Sequence, residues 1–470
     1  MRRLGRIVTC FSLLCASCVP SLTQKPAREA NRTTPKNFEG SQDTSNSAQA
    51  KWREFFNDPN LNALITSALQ NNQELNIQLQ ETFMANNEVL ANRGSYMPRV
   101  DFRAGGGLEK VSRYTSKGAA DELTGVPEPL QDYMFGFFAS WEVDVWKKMR
   151  NATKAATFRY LATLEGRNFI ITRLVAEIAN SYYELMALDN QLEVLDSNIA
   201  IQQSALEVVK LQKEAARVTE LAVQRFEAEV FKNKSRRYDI LQRIVETENK
   251  LNFLAGRFPQ TLARSSKSFN DLLPKAIAAG LPSQLLQNRP DVTRAELELA
   301  AAKLDVQVAK AYFYPSFGMR AGVGYQAFRI KRLINTPESL LYNVSADLMA
   351  PLINRNEIKA VYFSANSKQL QAVYEYEKTI LNAYTEVANQ LSMIDNLNKS
   401  FALQTQQVQK LTSSIDISTS LFTSARADYM EVLLTRRDAL ESQMELIETK
   451  KRQLAAVVNL YQALGGGWRR

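Results

Sequence analysis

Two long stretches of this chain contain no proline, residues 151–257 and 352–470, and both carry apolar residues in alternating steps of four and three. In the first, Leu174, Ile178, Ser181, Leu185, Leu188, Leu192, Leu195 and Ile199 form the run, which continues through Gln202 to Leu206 and Val209. In the second, Ala383, Val387, Gln390, Ile394, Leu397, Phe401, Gln404, Val408, Leu411 and Ile415 take the same steps. Such steps average about 3.5 residues, the seam of a coiled coil. Each stretch therefore predicts two very long helices. A run of about 60 residues rising 1.5 Å each spans roughly 90 Å, more than an ordinary globular domain. Helices of that length must form a bundle or a tube. The polar seam positions Ser181, Gln202, Gln390 and Gln404 fit either a tolerated polar core or a helix face that meets water in a hollow tube.

The chain also repeats itself at a period of about 209 residues, far beyond a solenoid unit. Glu177-Ile178-Ala179-Asn180 recurs as Glu386-Val387-Ala388-Asn389, and Ala216-Arg217 as Ala425-Arg426. Leu254-Ala255-Gly256 lines up near Leu464-Gly465. Several matches in one register predict an internal duplication.

Between the helical stretches the period changes to two. Phe135, Phe137, Ala139, Trp141 and Val143 alternate with Gly136, Phe138, Ser140, Glu142 and Asp144, and Val100, Phe102 and Ala104 alternate with Arg99, Asp101 and Arg103. In the second half Phe317, Met319, Ala321, Val323 and Tyr325, then Tyr342, Val344, Ala346 and Leu348, repeat the pattern. These runs have the length and alternation of membrane β-strands, one hairpin per half. Polar loops fall at 112–131 and 329–339, and Pro98 and Pro315 stand where helix gives way to strand. Four strands cannot close a membrane barrel, because the smallest has about eight and open edges cannot face lipid. Subunits must pool strands, and a trimer supplies twelve. A water-soluble arrangement of two small sheets on helices would need further strands, and none is evident.

The N-terminus reads as an export signal. Arg2, Arg3 and Arg6 precede the apolar run Ile7 to Leu14, and Ala16-Ser17-Cys18 has the form of a lipobox, with Cys15 where Leu is usual. The alternative is a plain cleaved signal with incidental cysteines. All three cysteines, Cys10, Cys15 and Cys18, lie here, so the mature chain forms no internal disulfide. Histidine is absent, which excludes His-based metal sites, Ser-His or Cys-His catalysis and His pH switches. The formal charge of +9 is mild and interspersed, giving no nucleic-acid footprint. Ala104-Gly-Gly-Gly107 lacks the Lys-Ser or Lys-Thr of a phosphate loop and reads as strand glycines. No catalytic, cofactor or metal residues are expected.

Four segments in order resemble the TolC-like outer-membrane efflux channel family, in its OprM-type lipoprotein branch. Residues 52–73 resemble the opening helix, 141–146 (WEVDVW) the strand-to-helix junction, and 459–468 (NLYQALGGGW) the ending. The most specific stretch, 281–315, carries Asn288-Arg289-Pro290-Asp291. The resemblance implies a mixed α and membrane-β fold: a long coiled-coil helical barrel continuous with a trimer-shared, twelve-stranded outer-membrane β-barrel. It implies a non-enzymatic homotrimer that docks a periplasmic adaptor and an inner-membrane transporter and passively conducts small molecules. A protein-secretion duct and a periplasm-spanning, lipid-anchored scaffold are the alternatives.

The expected organisation is a signal peptide at 1–17, a lipidated tether at 18–50, a first repeat at 51–260 with its hairpin at 99–144, a linker at 261–280, and a second repeat at 281–470 with its hairpin at 316–350. The resemblance places the adaptor- and pump-docking tip at two helical turns, with Arg217, Thr219 and Glu220 in the first and Arg426 and Asp428 in the second. Family members usually have Gly where this chain has Ala216 and Ala425. The family's gate uses Leu, Asp four residues on, and Arg three further; here these positions hold Met430, Leu434 and Arg437. Met430 and Leu434 share a helix face and would ring a constriction with apolar side chains, which close by dewetting, while Arg437 beside Arg436 also fits a solvated surface. Lipidation of Cys18 predicts that mass spectrometry finds an acylated Cys18 as the mature N-terminus; an unmodified N-terminus at another residue refutes it.

Overall fold

The computed structural model describes residues 19–22, 28–38, 45–272, 277–424 and 426–469. The signal segment and Cys18 lie outside them. The principal elements are α1 (Pro59–Asn71), α2 (Gln73–Tyr96), β1 (Arg99–Glu109), α3 (Ser116–Thr124), β2 (Leu130–Val143), α4 (Lys148–Glu214) and α5 (Glu220–Leu254). There follow α6 (Pro290–Ala311), β3 (Ser316–Ala327), β4 (Leu340–Met349), α7 (Asn356–Thr423) and α8 (Tyr429–Ala463). The proline-free stretches thus hold two long helices each, and α4 and α7 run for 67 and 68 residues, about 100 Å at 1.5 Å per residue. The chain forms two compact units. One gathers Thr82–Ala162 and Glu296–Glu375 with the described residues before Asn31; the other gathers Asn31–Glu81, Thr163–Ala295 and Tyr376–Arg470.

In the first unit the four strands form one antiparallel sheet in the order β1-β2-β3-β4. The two hairpins are therefore joined, with Phe137 opposite Val323 and Phe135 opposite Tyr325. Register carries the alternation across the sheet. Phe102, Phe137, Val323 and Tyr342 form one row, and Val100, Ala139, Ala321 and Val344 the next. No charged residue falls on this face of any strand. Its side chains nevertheless stand open: Val100 is 64% exposed, Phe102 60% and Val344 79%. An apolar face of this extent suits a lipid contact rather than water. The opposite face is polar and glycine-rich, with Arg99, Ser140, Arg320 and Ser345 in one row and Asp101, Phe138, Gly322 and Asn343 in another.

Gly105, Gly106 and Gly107 lie in the β1 ladder, as strand glycines should. The polar loop after β1 contains α3. Thr115 accepts the Gly118 N–H at its start, and Gly125 in the left-handed region ends it.

The strand-to-helix junction explains the WEVDVW segment. The Asp144 carboxylate accepts the N–H groups of Met149 (3.1 Å) and Arg150 (2.9 Å), capping the orphan donors of α4. Burial alone would raise this carboxyl's pKa, but the backbone donors and the Arg150 guanidinium bring it below its usual range. Trp146 donates to the Pro315 carbonyl (2.7 Å) and stacks on Tyr314. Thus α4 is tied to the start of β3.

The second unit holds a large apolar core. Leu61, Ile65, Ile178, Leu185 and Leu195 are fully covered, and Tyr182 and Tyr461 bury their rings there. Asn72 accepts the Leu75 N–H at the start of α2 and donates to the Leu254 carbonyl at the end of α5. Buried Arg289 of the Asn288-Asp291 motif bonds Asp291 twice, Glu386 on α7 (2.6 Å), and the Ala463 carbonyl at the end of α8 (2.8 Å). Of the polar seam residues, Ser181 and Gln202 are core positions, and Gln202 accepts from Asn233 on α5 (2.9 Å). Before the core, Asn31 donates its N–H to Glu377 and Phe38 stacks on Tyr384, so extended chain lies along α7.

Gly136 and Gly324 face each other across β2 and β3, and a Cβ on Gly136 would lie 2.5 Å from the Val323 carbonyl oxygen. Gly136→Val is expected to abolish recovery of folded protein from membranes. Gly105→Val, where nothing lies within 4 Å of the added carbon, should fold at parental yield. Equal yields of both variants, quantified by circular dichroism of purified protein, would contradict this register.

Candidate functional site

The helical turns expected to form a docking tip both lie in the second unit. Helix α4 ends in a closed turn: the Ala216 N–H bonds the Lys213 carbonyl (2.9 Å), and the Arg217 N–H reaches back to Gln212 (2.8 Å). This geometry needs a left-handed residue, and Ala216 takes it, at φ 57°. An L-residue pays roughly 1 kcal/mol or more there, which glycine does not. In the second turn Arg426 bonds back to Leu421 (2.8 Å) in the same manner; Ala425 lies outside the described residues.

The side chains at these turns are turned to solvent. Thr219 and Asp428 occupy the N-cap positions of α5 and α8, yet neither makes a side-chain cap bond. Among the described residues, Arg217, Arg426 and Asp428 make no ion pair, so their charges are available to a partner. Glu220 differs: Gln224 donates to it (2.9 Å) and Lys213 pairs with it, and together they hold its carboxyl below the usual range.

Helix α8 carries the expected constriction residues. Met430 and Leu434 lie one turn apart, and Leu434 is 38% exposed. Arg437 donates from Nε (3.2 Å) and Nη2 (3.0 Å) to the carboxylate of its neighbour Asp438. One contact was not visible in the sequence: Arg225 on α5 donates to the Met430 sulfur (3.1 Å). Tyr429 and Leu433 pack against an apolar cluster of Leu206, Val209, Val223 and Phe226. The start of α8 is thereby fixed on α4 and α5. No local sequence signal marks it, because the two residues are 205 positions apart.

The arrangement offers no reacting group. It is an exposed charged rim, with Arg217, Arg426 and Asp428 free of ion pairs among the described residues, beside an apolar stripe. The model of the outer membrane efflux protein family matches residues 64–257 and 281–466. The chain belongs to that family, and it is an efflux channel protein of the outer membrane. Similar proteins include the pyoverdine export outer membrane protein OpmQ of Pseudomonas aeruginosa, 29% identical over 89% of this chain and 87% of that protein. The cation efflux system protein CusC of Escherichia coli is 26% identical over 98% of both chains. A crystal structure of CusC superposes with a TM-score of 0.82 at 25% identity, covering 94% of this chain and 99% of that one. The open-state outer membrane channel MtrE of Neisseria gonorrhoeae shares the fold at a TM-score of 0.84 over 95% of this chain and 98% of that one. These relatives are named as channel and efflux proteins, not as enzymes.

Replacing the strained alanine gives a local test. Ala216→Gly should stabilise the α4–α5 turn by about 1 kcal/mol, slowing hydrogen exchange at the Arg217 N–H about fivefold. Unchanged or faster exchange would show that the left-handed turn does not limit local opening.

Proposed function

We propose that this chain is one third of a homotrimeric export duct. Each chain contributes four strands to a twelve-stranded outer-membrane barrel, and the long helices of the two duplicated halves contribute to a helical barrel in the periplasm. The observation that carries this reading is the sheet itself. Its charge-free face is fit for lipid, while among the described residues β1 and β4 have no strand on their outer edges. Unpaired backbone groups cannot face hydrocarbon, and pairing β4 of one copy with β1 of the next satisfies both edges. The matching bounds of α5 and α8, 209 residues apart at each end, support the duplication.

In this reading residues 1–17 are removed, Cys18 is acylated, and residues 18–50 tether the chain to the membrane. The repeats cover 51–260 and 281–470, joined by the linker at 261–280. Arg217, Thr219, Glu220, Arg426 and Asp428 meet a periplasmic adaptor protein, which connects the duct to an inner-membrane transporter. The energy for export comes from that transporter, and the channel passes small molecules passively. Met430 and Leu434 form stacked apolar rings with Arg437 deeper, and dewetting holds ions back. The lid is thus hydrophobic where an acidic ring would admit water.

Single-channel recording in a planar bilayer tests the constriction. Leu434→Asp would place three carboxylates in the ring, so conductance and cation preference should both rise. Variant channels identical to the parent in both respects would exclude Leu434 from the constriction. A Leu434→Asp protein that, once inserted, still yields no conductance steps would refute the duct.

A further inference from the structure

The loop between β3 and β4 has a composition that the channel reading does not use. Residues 328–334 read Phe-Arg-Ile-Lys-Arg-Leu-Ile, three cations among four apolar residues without a carboxylate. The loop lies at the end of the sheet away from the helix junctions, because β3 begins just after α6 and ends at Ala327. Its backbone is ordered by a short helical turn, with Arg332 bonded to Arg329, Leu333 to Ile330 and Asn335 to Arg332. The side chains are nevertheless bare. Phe328 is 56% exposed, Ile330 65% and Ile334 70%.

The cations are equally uncovered. Arg329, Lys331 and Arg332 are exposed, and none makes an ion pair among the described residues. Arg329 and Arg332 share an open cleft with Asp132 and Glu338, but Asp132 is taken by the Gln326 amide (2.9 and 2.8 Å). The neighbouring loop behaves differently. There Arg113 pairs with Glu128 and Lys117 with Glu109, each at 2.9 Å. The same end of the sheet therefore carries one loop in which Arg113 and Lys117 are neutralised and one in which Arg329, Lys331 and Arg332 are free of ion pairs among the described residues.

We propose that the β3–β4 loop binds the phosphate-bearing head groups of the outer-leaflet lipid through Arg329, Lys331 and Arg332, with Phe328, Ile330 and Ile334 set into the interface. The inference rests on the reading of the sheet as part of a lipid-embedded barrel. The loop continues directly from the charge-free face, whose last residues on these strands are Ala327 and Leu340. Basic residues next to a membrane span are attracted to anionic lipid, and interleaved apolar residues anchor the segment at head-group depth. Guanidinium groups add bidentate geometry for phosphate. A loop facing only water would gain nothing from three bare apolar side chains.

Native mass spectrometry of the detergent-solubilised full-length protein tests this, titrating a diphosphorylated, acylated glucosamine disaccharide and its dephosphorylated form. The parent should bind the phosphorylated lipid at least tenfold more tightly. The combined variant Arg329→Gln, Lys331→Gln, Arg332→Gln should lose roughly a hundredfold, from about fivefold per cation, while remaining the same oligomer in the same spectra. Arg113→Gln with Lys117→Gln should stay within about twofold of the parent. A trimer that binds both lipid forms equally, or a combined variant with parental affinity, overturns the proposal and leaves the barrel standing. Inorganic phosphate displacing the lipid at equal affinity would also overturn it, by assigning the cations to a soluble anion. A monomer in these spectra would refute the barrel, and the lipid contact with it.

Discussion

A sheet of four strands with two open edges is the constraint from which the rest follows. In water such edges are tolerable, since solvent satisfies their N–H and C=O groups. Within hydrocarbon they are not. The chain sets a face without a single charge along Phe102, Phe137, Val323 and Tyr342, and among the described residues β1 and β4 are unpaired on their outer sides. Glycine allows close pairing inside the sheet, as at Gly136 and Gly324, where backbone meets backbone. The outer edges of β1 and β4 are then the two long rows of backbone groups without a strand partner among the described residues.

The junctions between strand and helix carry unusual responsibility. A strand alternates its side chains with period two and a long helix presents a stripe, so the backbone must change geometry within a few residues. Asp144 makes the change by accepting the first helical N–H groups, and Trp146 secures it on Pro315. In the second unit, Arg289 gathers Asp291, Glu386 and the last carbonyl of α8. Burying a guanidinium is costly, and here several charge-assisted bonds offset it. Leu-Gly-Gly-Gly then ends α8 with Gly465 at φ 88°.

The turns show how exposed charge and an apolar stripe coexist on neighbouring residues. Exposed turn residues without internal partners cost the folded protein little, because water solvates them. The apolar stripe begins in the next turn of α8, where Tyr429 and Leu433 pack inward and leave Leu434 outward. With Arg437 engaged by Asp438 and Arg225 resting on the Met430 sulfur, charge near the stripe is held at its margin.

Much of this was determined by the sequence alone, because it depends on local periodicity. Steps of four and three along Leu174 to Val209 and Ala383 to Ile415, within two proline-free stretches, predict four long helices, and alternation such as that along Phe135 to Val143 predicts the strands, since side-chain direction follows directly from backbone geometry. Pro98, Pro315 and the closing glycines punctuate them. The candidate site was legible as positions only through the resemblance, which marks Arg217, Thr219, Glu220, Arg426 and Asp428 at the turns and Met430, Leu434 and Arg437 beyond the second. Only the tertiary structure decided their partners. No local pattern pairs Phe137 with Val323, far apart in the chain; that register comes from fitting two apolar faces and two glycines together. Nor does spacing reveal that Arg225 touches Met430, that Asn72 serves the ends of two helices, or that α3 forms within a loop. Such contacts join segments distant in sequence, and they are chosen by which surfaces remain to be covered once each element has formed.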